Sequence, residues 1–398
     1  VNNFSFPQQS LEQGQWFKLI CGASFQDLPV VRNLSLVYTL AGADCLDVAC
    51  DLAVIAAAQE GMMAAIGLQD EARSLGFAVG PAHGQTPNGQ ANEQIHGRSP
   101  WLMVSLNDGE DPHFRKAAFD VQTCPTDCPR PCEAICPAQA IAFAQDFSGV
   151  LDQRCYGCGR CLPICPSQLI YTRAYVSTPN QVSNLLVAGG IDALEIHTQV
   201  GHHADFQRLW QAIAPRANRL QLLAVSCSDH PGLMDYLQSL LPILEPLPCL
   251  LLWQLDGRPM SGDIGKGTTH ATLKLAQKAL AANLPGYLQL AGGTNGYTVP
   301  KLREMKLLPK ANSQKSINSG IAGVGYGSYA RSLLSPLWEQ WAAIAPPSLS
   351  PAHPLSHHLE DYPDLLWQGV KIAHHLVSQL KPPLPPPIPL NPKKFKPL

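Results

Sequence analysis

The chain has 398 residues, of which 45% are apolar and 15% charged, and its formal net charge is −2. That balance excludes a disordered chain and gives no general pull toward nucleic acid or an anionic membrane. No apolar run nears the roughly 20 residues of a bilayer-spanning helix, and residues 1–15 lack a basic segment followed by an apolar core; a soluble, cytoplasmic protein is expected. In that compartment the thirteen cysteines read as metal ligands or core residues rather than disulfides.

Taken in chain order, short apolar runs alternate with helical patterns, as in parallel βα units. The predicted strands are 17–21, 45–50, 101–106, 194–197, 220–225, 249–254, 286–290 and 320–325. The predicted helices are 30–41, 52–65, 181–187, 205–214, 233–244, 270–282, 299–305 and 338–344. Eight strand–helix repeats predict an α/β fold of the (β/α)8 TIM-barrel type, with an open doubly wound sheet as the competing architecture. Residues 80–98, rich in Gly, Pro, Asn and Gln, read as a loop. The expected organisation is a first barrel part at 16–110, an insertion at 111–176 after the third strand, a second barrel part at 177–345, and a helix with a Pro-rich tail at 346–398.

Eight of the cysteines fall in the insertion. The first group is Cys124, Cys128, Cys132 and Cys136, the last followed by Pro137. The second is Cys155, Cys158, Cys161 and Cys165, followed by Pro166, in the C-x2-C-x2-C-x3-C-P spacing of bacterial ferredoxins. Thiolates two residues apart can wrap one face of a cubane. The three-residue step then starts a helix that carries the fourth cysteine toward a second cluster. Zinc sites favour paired cysteines over such a run. Cys136-Pro-Ala-Gln-Ala-Ile141 and Cys165-Pro-Ser-Gln-Leu-Ile170 align with each other, like the duplicated halves of a two-cluster ferredoxin. By resemblance to that family, one 4Fe-4S cluster takes Cys124, Cys128, Cys132 and Cys165, and the other takes Cys155, Cys158, Cys161 and Cys136. The first group has three-residue gaps where the family has two, which leaves a 3Fe-4S core open there.

Glycine-containing segments accompany the late strands: residues 262–268, then Gly292, Gly293 and Thr294, then Gly323, Gly325 and Gly327. Loops after strands seven and eight form the common phosphate site of such barrels, so these residues are candidates for an anion or phosphate site, with FMN as one occupant. Tight turns alone also demand glycine. Cys21, Cys45, Cys50, Cys227 and Cys249 read as core. His197, His202, His203, His230 and His270 lie near strand ends or in loops, without an evident carboxylate partner, and no catalytic residue or acid–base mechanism is legible. A helical pattern at 361–381 precedes polyproline at 382–387 and Lys393, Lys394 and Lys396, an extended spacer or docking ligand.

The order of segments carries one more resemblance. Trp16-Phe-Lys-Leu-Ile-Cys-Gly-Ala-Ser24 leads to Ala41-Gly-Ala-Asp-Cys-Leu-Asp-Val-Ala-Cys-Asp51, then the cysteine runs, then Gln254-Leu-Asp-Gly-Arg258 and Leu290-Ala-Gly-Gly-Thr-Asn-Gly296. This resembles the cyanobacterial light-dependent period (LdpA) family across nearly the whole chain. The resemblance implies an iron–sulfur protein that reports cellular redox, and so light, to the circadian clock's input; the two clusters and the missing acid–base constellation favour a non-enzymatic redox sensor. Its implied partners are an electron donor or acceptor and clock input and oscillator proteins. The alternative is an iron–sulfur flavin-dependent oxidoreductase with its active site at the barrel mouth.

Overall fold

The computed structural model describes residues 6–77, 99–136, 138–144, 147–174, 186, 190–258, 265, 267–309, 320–344 and 358–381. The predicted loop at 80–98, most of the predicted helix at 181–187, most of 262–268, and the Pro-rich tail lie outside them. In chain order the strands are β1 (Trp16–Ile20), β2 (Cys45–Ala49), β3 (Trp101–Asn107), β4 (Arg115–Ala118), β5 (Ile141–Phe143), β6 (Ser148–Val150), β7 (Tyr171–Ala174), β8 (Ala193–Thr198), β9 (Leu222–Ser228), β10 (Leu250–Asp256), β11 (Tyr287–Ala291) and β12 (Gly323–Tyr326). Eight of them close a barrel in the order β1-β2-β3-β8-β9-β10-β11-β12, with every neighbouring pair parallel. The open doubly wound alternative is therefore excluded.

The two-residue alternation of a strand sorts these side chains. Phe17 and Leu19 belong to the large outer core between strands and helices. Trp16, on the opposite face, joins Leu11, Cys45, Trp101, Met103, Ala224, Leu252 and Tyr287 in a separate apolar plug inside the barrel. The Trp16 and Trp101 rings meet edge-on at 5.6 Å. Leu11 comes from a helix at Phe6–Glu12 that the sequence reading missed.

Helix Leu28–Leu40 starts on Asp27, whose side chain accepts from the Val30 amide, and helix Leu52–Gly67 starts on Asp51, which accepts from Ala53 and Val54. The two pack so closely that a Cβ on Gly61 would stand 2.1 Å from the Arg32 carbonyl oxygen. The helix expected at 338–344 begins ten residues earlier, at Ser328, and contains Pro336. Helix Pro363–Val377 joins the outer layer through Val370, Ala373 and Val377. It is held by the Arg32–Glu360 pair and by Lys381 on Asp44, at 2.6 and 2.7 Å.

The cysteine segment interrupts the chain between β3 and β8, at the carboxyl end of the third barrel strand. Its base is an antiparallel pair, Arg115–Ala118 on Tyr171–Ala174, and a second small hairpin joins β5 to β6. Among the described residues the buried core of this module is Ala117, Cys132, Ala140, Ile141, Cys155, Cys161 and Ile170. Lys116 ties it to the barrel rim by donating to the Gln26 side chain, and within the module it donates to the Asp152 carbonyl, both at 2.7 Å.

Candidate functional site: a cysteine module over a charged barrel mouth

The cysteines separate into two groups in space. Cys136, Cys155, Cys158 and Cys161 line one cavity, together with Tyr156, Gly157 and Gly159. Gly157 and Gly159 have φ of +69° and +74°, conformations that L side chains rarely adopt, so the loop can wrap tightly there. Cys124, Cys128, Cys132 and Cys165 form the other neighbourhood, in which each of Cys124 and Cys132 feels both Cys128 and Cys165.

The sulfurs are met by backbone amides. Ala117 N–H donates to Cys155 Sγ at 3.3 Å and Ala140 N–H to Cys136 Sγ at 3.2 Å. At Cys165 slight burial is outweighed by the amides of Leu169, Ile170, Ser167 and Gln168, which hold the thiol below its usual range. Converging thiols with amide donors aimed at them are the donor set that an iron–sulfur cluster requires. Burial raises the thiols of Cys158 and Cys161, the latter to about 12, so in this module it is the convergence of the sulfurs, not their titration, that marks the site. The five cysteines outside the module form no such group with one another. Burial pushes Cys21, Cys50 and Cys227 up to about 12 and Cys249 to about 11, and raises Cys45 well above the usual thiol range. These are inert, mostly buried thiols.

Above the apolar plug the barrel interior carries charge. Lys18, fully buried, sits 3.1 Å from Asp47, contacts Glu195 directly, and donates to Gln254 Oε1 at 2.9 Å. Gln254 donates to Glu195 at 2.6 Å and accepts from Gln289 at 2.6 Å. Ser105 donates to Asp47 at 2.7 Å, and Ser226 to Asp256 at 2.6 Å. Burial raises Asp47 to about 6, against the pull of Lys18. Burial opposes charge on His197, but Glu195, 3.0 Å from Nε2, pushes the imidazole up to about 9.

This acid–base network is absent from the sequence reading, which found no such arrangement. The signal was there: Lys18, Asp47 and Glu195 are lone charges inside apolar strand runs. In a parallel barrel a strand is buried on both faces, so such a charge can only point inward and must be paired. Of the candidate histidines, His197 belongs to this network. His202 does have a carboxylate partner, Asp108, at 3.1 Å; the pairing spans 94 residues and could not be read from local spacing. His203 contacts the Ser239 carbonyl at 3.4 Å, and His230 accepts from the Gly232 amide at 3.0 Å.

The network opens into a mouth pocket of about 600 Å³, its open side included. Gly292, Gly293, Thr294 and Gly327 line it, with Ser328 and Arg331. Gly323 and Gly325 do not. They are β12 residues, and a Cβ on Gly323 would stand 2.1 Å from the Trp16 carbonyl oxygen, so its glycine serves strand packing. Gly292 is likewise demanded by its turn, with φ +56° and the Arg258 carbonyl oxygen 2.6 Å from where a Cβ would lie. Arg331, which sequence reasoning also missed, donates to the Ile20 and Cys21 carbonyls at 2.6 and 3.0 Å and to Ser328 Oγ at 2.9 Å.

Tyr156 joins the two regions. It lies in the loop between Cys155 and Cys158 and lines both the cysteine cavity and the mouth pocket. Arg331 sits 4.1 Å over its ring, and Phe25 meets the ring edge-on at 5.7 Å.

Residues 124–176 match the family profile described as the LdpA Fe-S cluster-binding domain, and residues 185–379 match the light dependent period A C-terminal domain. The fold and site therefore define an iron–sulfur protein built on a parallel α/β barrel. The chain is also 46% identical to "Light dependent period A" of Synechococcus elongatus over 378 residues, covering 95% of this chain and 94% of that one. It belongs to the LdpA family. Solved structures are far more distant. Mycobacterium tuberculosis tryptophan synthase aligns at 10% identity with a TM-score of 0.39, covering 95% of this chain and 97% of that one. N-acetylneuraminate lyase from Fusobacterium nucleatum aligns at 9% identity with a TM-score of 0.32, covering 91% and 80%. Likeness at that level carries no functional argument. Among the described residues no helix is long and apolar enough to cross a membrane.

Proposed function

We propose that the protein is a redox-responsive regulator in the cytoplasm, which reports the state of two 4Fe-4S clusters to partners in the input of a circadian clock. The ligand sets are Cys124, Cys128, Cys132 and Cys165 for one cluster, and Cys136, Cys155, Cys158 and Cys161 for the other. When bound, the clusters supply one-electron transfer with a donor or acceptor protein. The chain's own residues supply the amide donors that stabilise thiolate and the walls that limit water.

The observation that carries this reading is the position of Tyr156, a shared wall between one cysteine cavity and the barrel mouth. A change of one charge in that cavity is felt by the Arg331–Tyr156 stack, and through it by the pocket and its rim. The name of the curated relative, light dependent period A, supports the clock assignment. The rim formed by Gly292, Gly293, Thr294, Gly327 and Arg331 suits a small anion such as a phosphate group, which would tune the response.

Anaerobic iron and sulfide analysis with redox-titrated electron paramagnetic resonance tests the proposal. Wild type is expected to hold about eight iron atoms in two cubanes and to give two reduced-cluster signals. Cys158→Ser should lose one and Cys128→Ser the other. Colourless, metal-poor protein, or both signals intact in both variants, overturns the assignment. Flavin released on denaturation of the same preparation would move the reading to an oxidoreductase.

A further inference from the structure

Beyond the iron–sulfur module, one set of side chains in the barrel mouth has the composition of a metal site. β3 runs into a short turn in which Asp111 caps residues Pro112–Phe114. The parallel pairing of β3 with β8 sets Asn107 beside His197, and so brings that turn over the β8 imidazole. Asp111 Oδ1 lies 2.9 Å from His113 Nδ1 and 3.7 Å from His197 Nδ1. One donor atom from each of the three residues lies within 4.8 Å of the others, and the two imidazole rings are 5.1 Å apart.

Three further observations point the same way. His197 Nε2 is held by Glu195 Oε1 at 3.0 Å, leaving Nδ1 toward Asp111, the outer-carboxylate arrangement that orients metal-bound histidines. The surroundings hold further buried carboxylates: Asp47 and Glu195 pair with Lys18, while Asp256 lies within electrostatic reach of both His113 and His197. Finally, His113 and His197 line the mouth pocket, so an ion has a path in and a position open to water or a ligand oxygen.

We infer that Asp111, His113 and His197 form a divalent-cation site, separate from the cysteine module. Two imidazoles and one carboxylate with an open position is a donor set suited to zinc or ferrous iron, and is the three-ligand form that metals take where they bind substrate. The ion would neutralise part of the buried negative charge and offer an anchor to an anionic molecule entering the pocket.

Zn2+ is the probe, titrated calorimetrically into anaerobic, cluster-loaded full-length protein. One ion per chain is expected at this site. His113→Gln and His197→Gln should each lower the stoichiometry by one or weaken that binding at least tenfold, while His202→Gln, outside the site, leaves it unchanged. Cluster electron paramagnetic resonance and circular dichroism report whether each variant is folded. His113 is partly exposed and lies in a short turn after β3, not in a barrel strand, so its variant carries the test if His197→Gln fails to fold. Wild type that binds no Zn2+, or binding unchanged in a folded His113→Gln protein, overturns the proposal. Neither result touches the cysteine-ligated clusters.

Discussion

The barrel and the cysteine module are held together by different means. The barrel has a large outer core and an apolar plug, and it places its charges in a paired network. Among the described residues the module's own core has seven buried members, three of them cysteines. A core that small rarely stabilises a fold without disulfides or metal. The comparison teaches that the barrel is a scaffold specified by side-chain packing, while the module's order is coupled to what its cysteines bind.

The sharpest way to break that comparison is to remove the iron. Chelation under reducing conditions should abolish hydrogen-exchange protection across 115–174 while the barrel strands stay protected. Loss of protection in both, or in neither, would show that the two regions are not independently held. Next in size is Lys18→Ala, which removes the amine from Asp47 and leaves Glu195 with His197 in place of two cationic partners. An uncompensated buried charge costs about 3–5 kcal/mol, read as a lowered urea midpoint, with cluster signals retained in the fraction that stays folded.

A smaller effect is expected where helix Pro363–Val377 docks. Glu360 is partly buried, which opposes ionisation, but the Arg32 guanidinium holds its carboxyl below the usual range. A depressed carboxyl stabilises the fold above its unfolded value, and that contribution is lost as pH falls through the lower folded value. Glu360→Gln should therefore cost about 1 kcal/mol at neutral pH and flatten the acid limb of the stability curve below pH ~4. The smallest change is Asp70→Asn, in an exposed pair with Arg73. It should shift stability by less than about 0.5 kcal/mol, and a larger shift would mean that surface charge matters more to this barrel than packing does.

How far these regions could be read in advance follows the same division. Barrel strands were legible because largely apolar runs of four to seven residues, broken by turn residues, have few other uses in a chain of this size. The cysteine spacing was legible because metal geometry fixes it locally. The stem was not: Arg115-Lys-Ala-Ala118 and Tyr171-Thr-Arg-Ala174 carry no strand-like apolar run, and only their pairing across 53 to 59 residues makes them strands. Helix Ser328–Ile344 was read short because Gly327-Ser328 and Pro336 both look like interruptions. The mouth network escaped for a related reason. Its members lie one or two to a strand, from Lys18 to Asp256, and barrel closure alone gathers them.

That stem has a consequence for how such a protein can arise. Because Arg115 stands opposite Ala174 where the cysteine segment leaves and returns, everything between is a detour with a closed neck. A shortened gene that joined the two arms by a tight hairpin turn would leave the eight-stranded wall in register. The iron–sulfur segment is thus joined to its host barrel in a way that would let it be acquired, lost or exchanged as a unit during evolution.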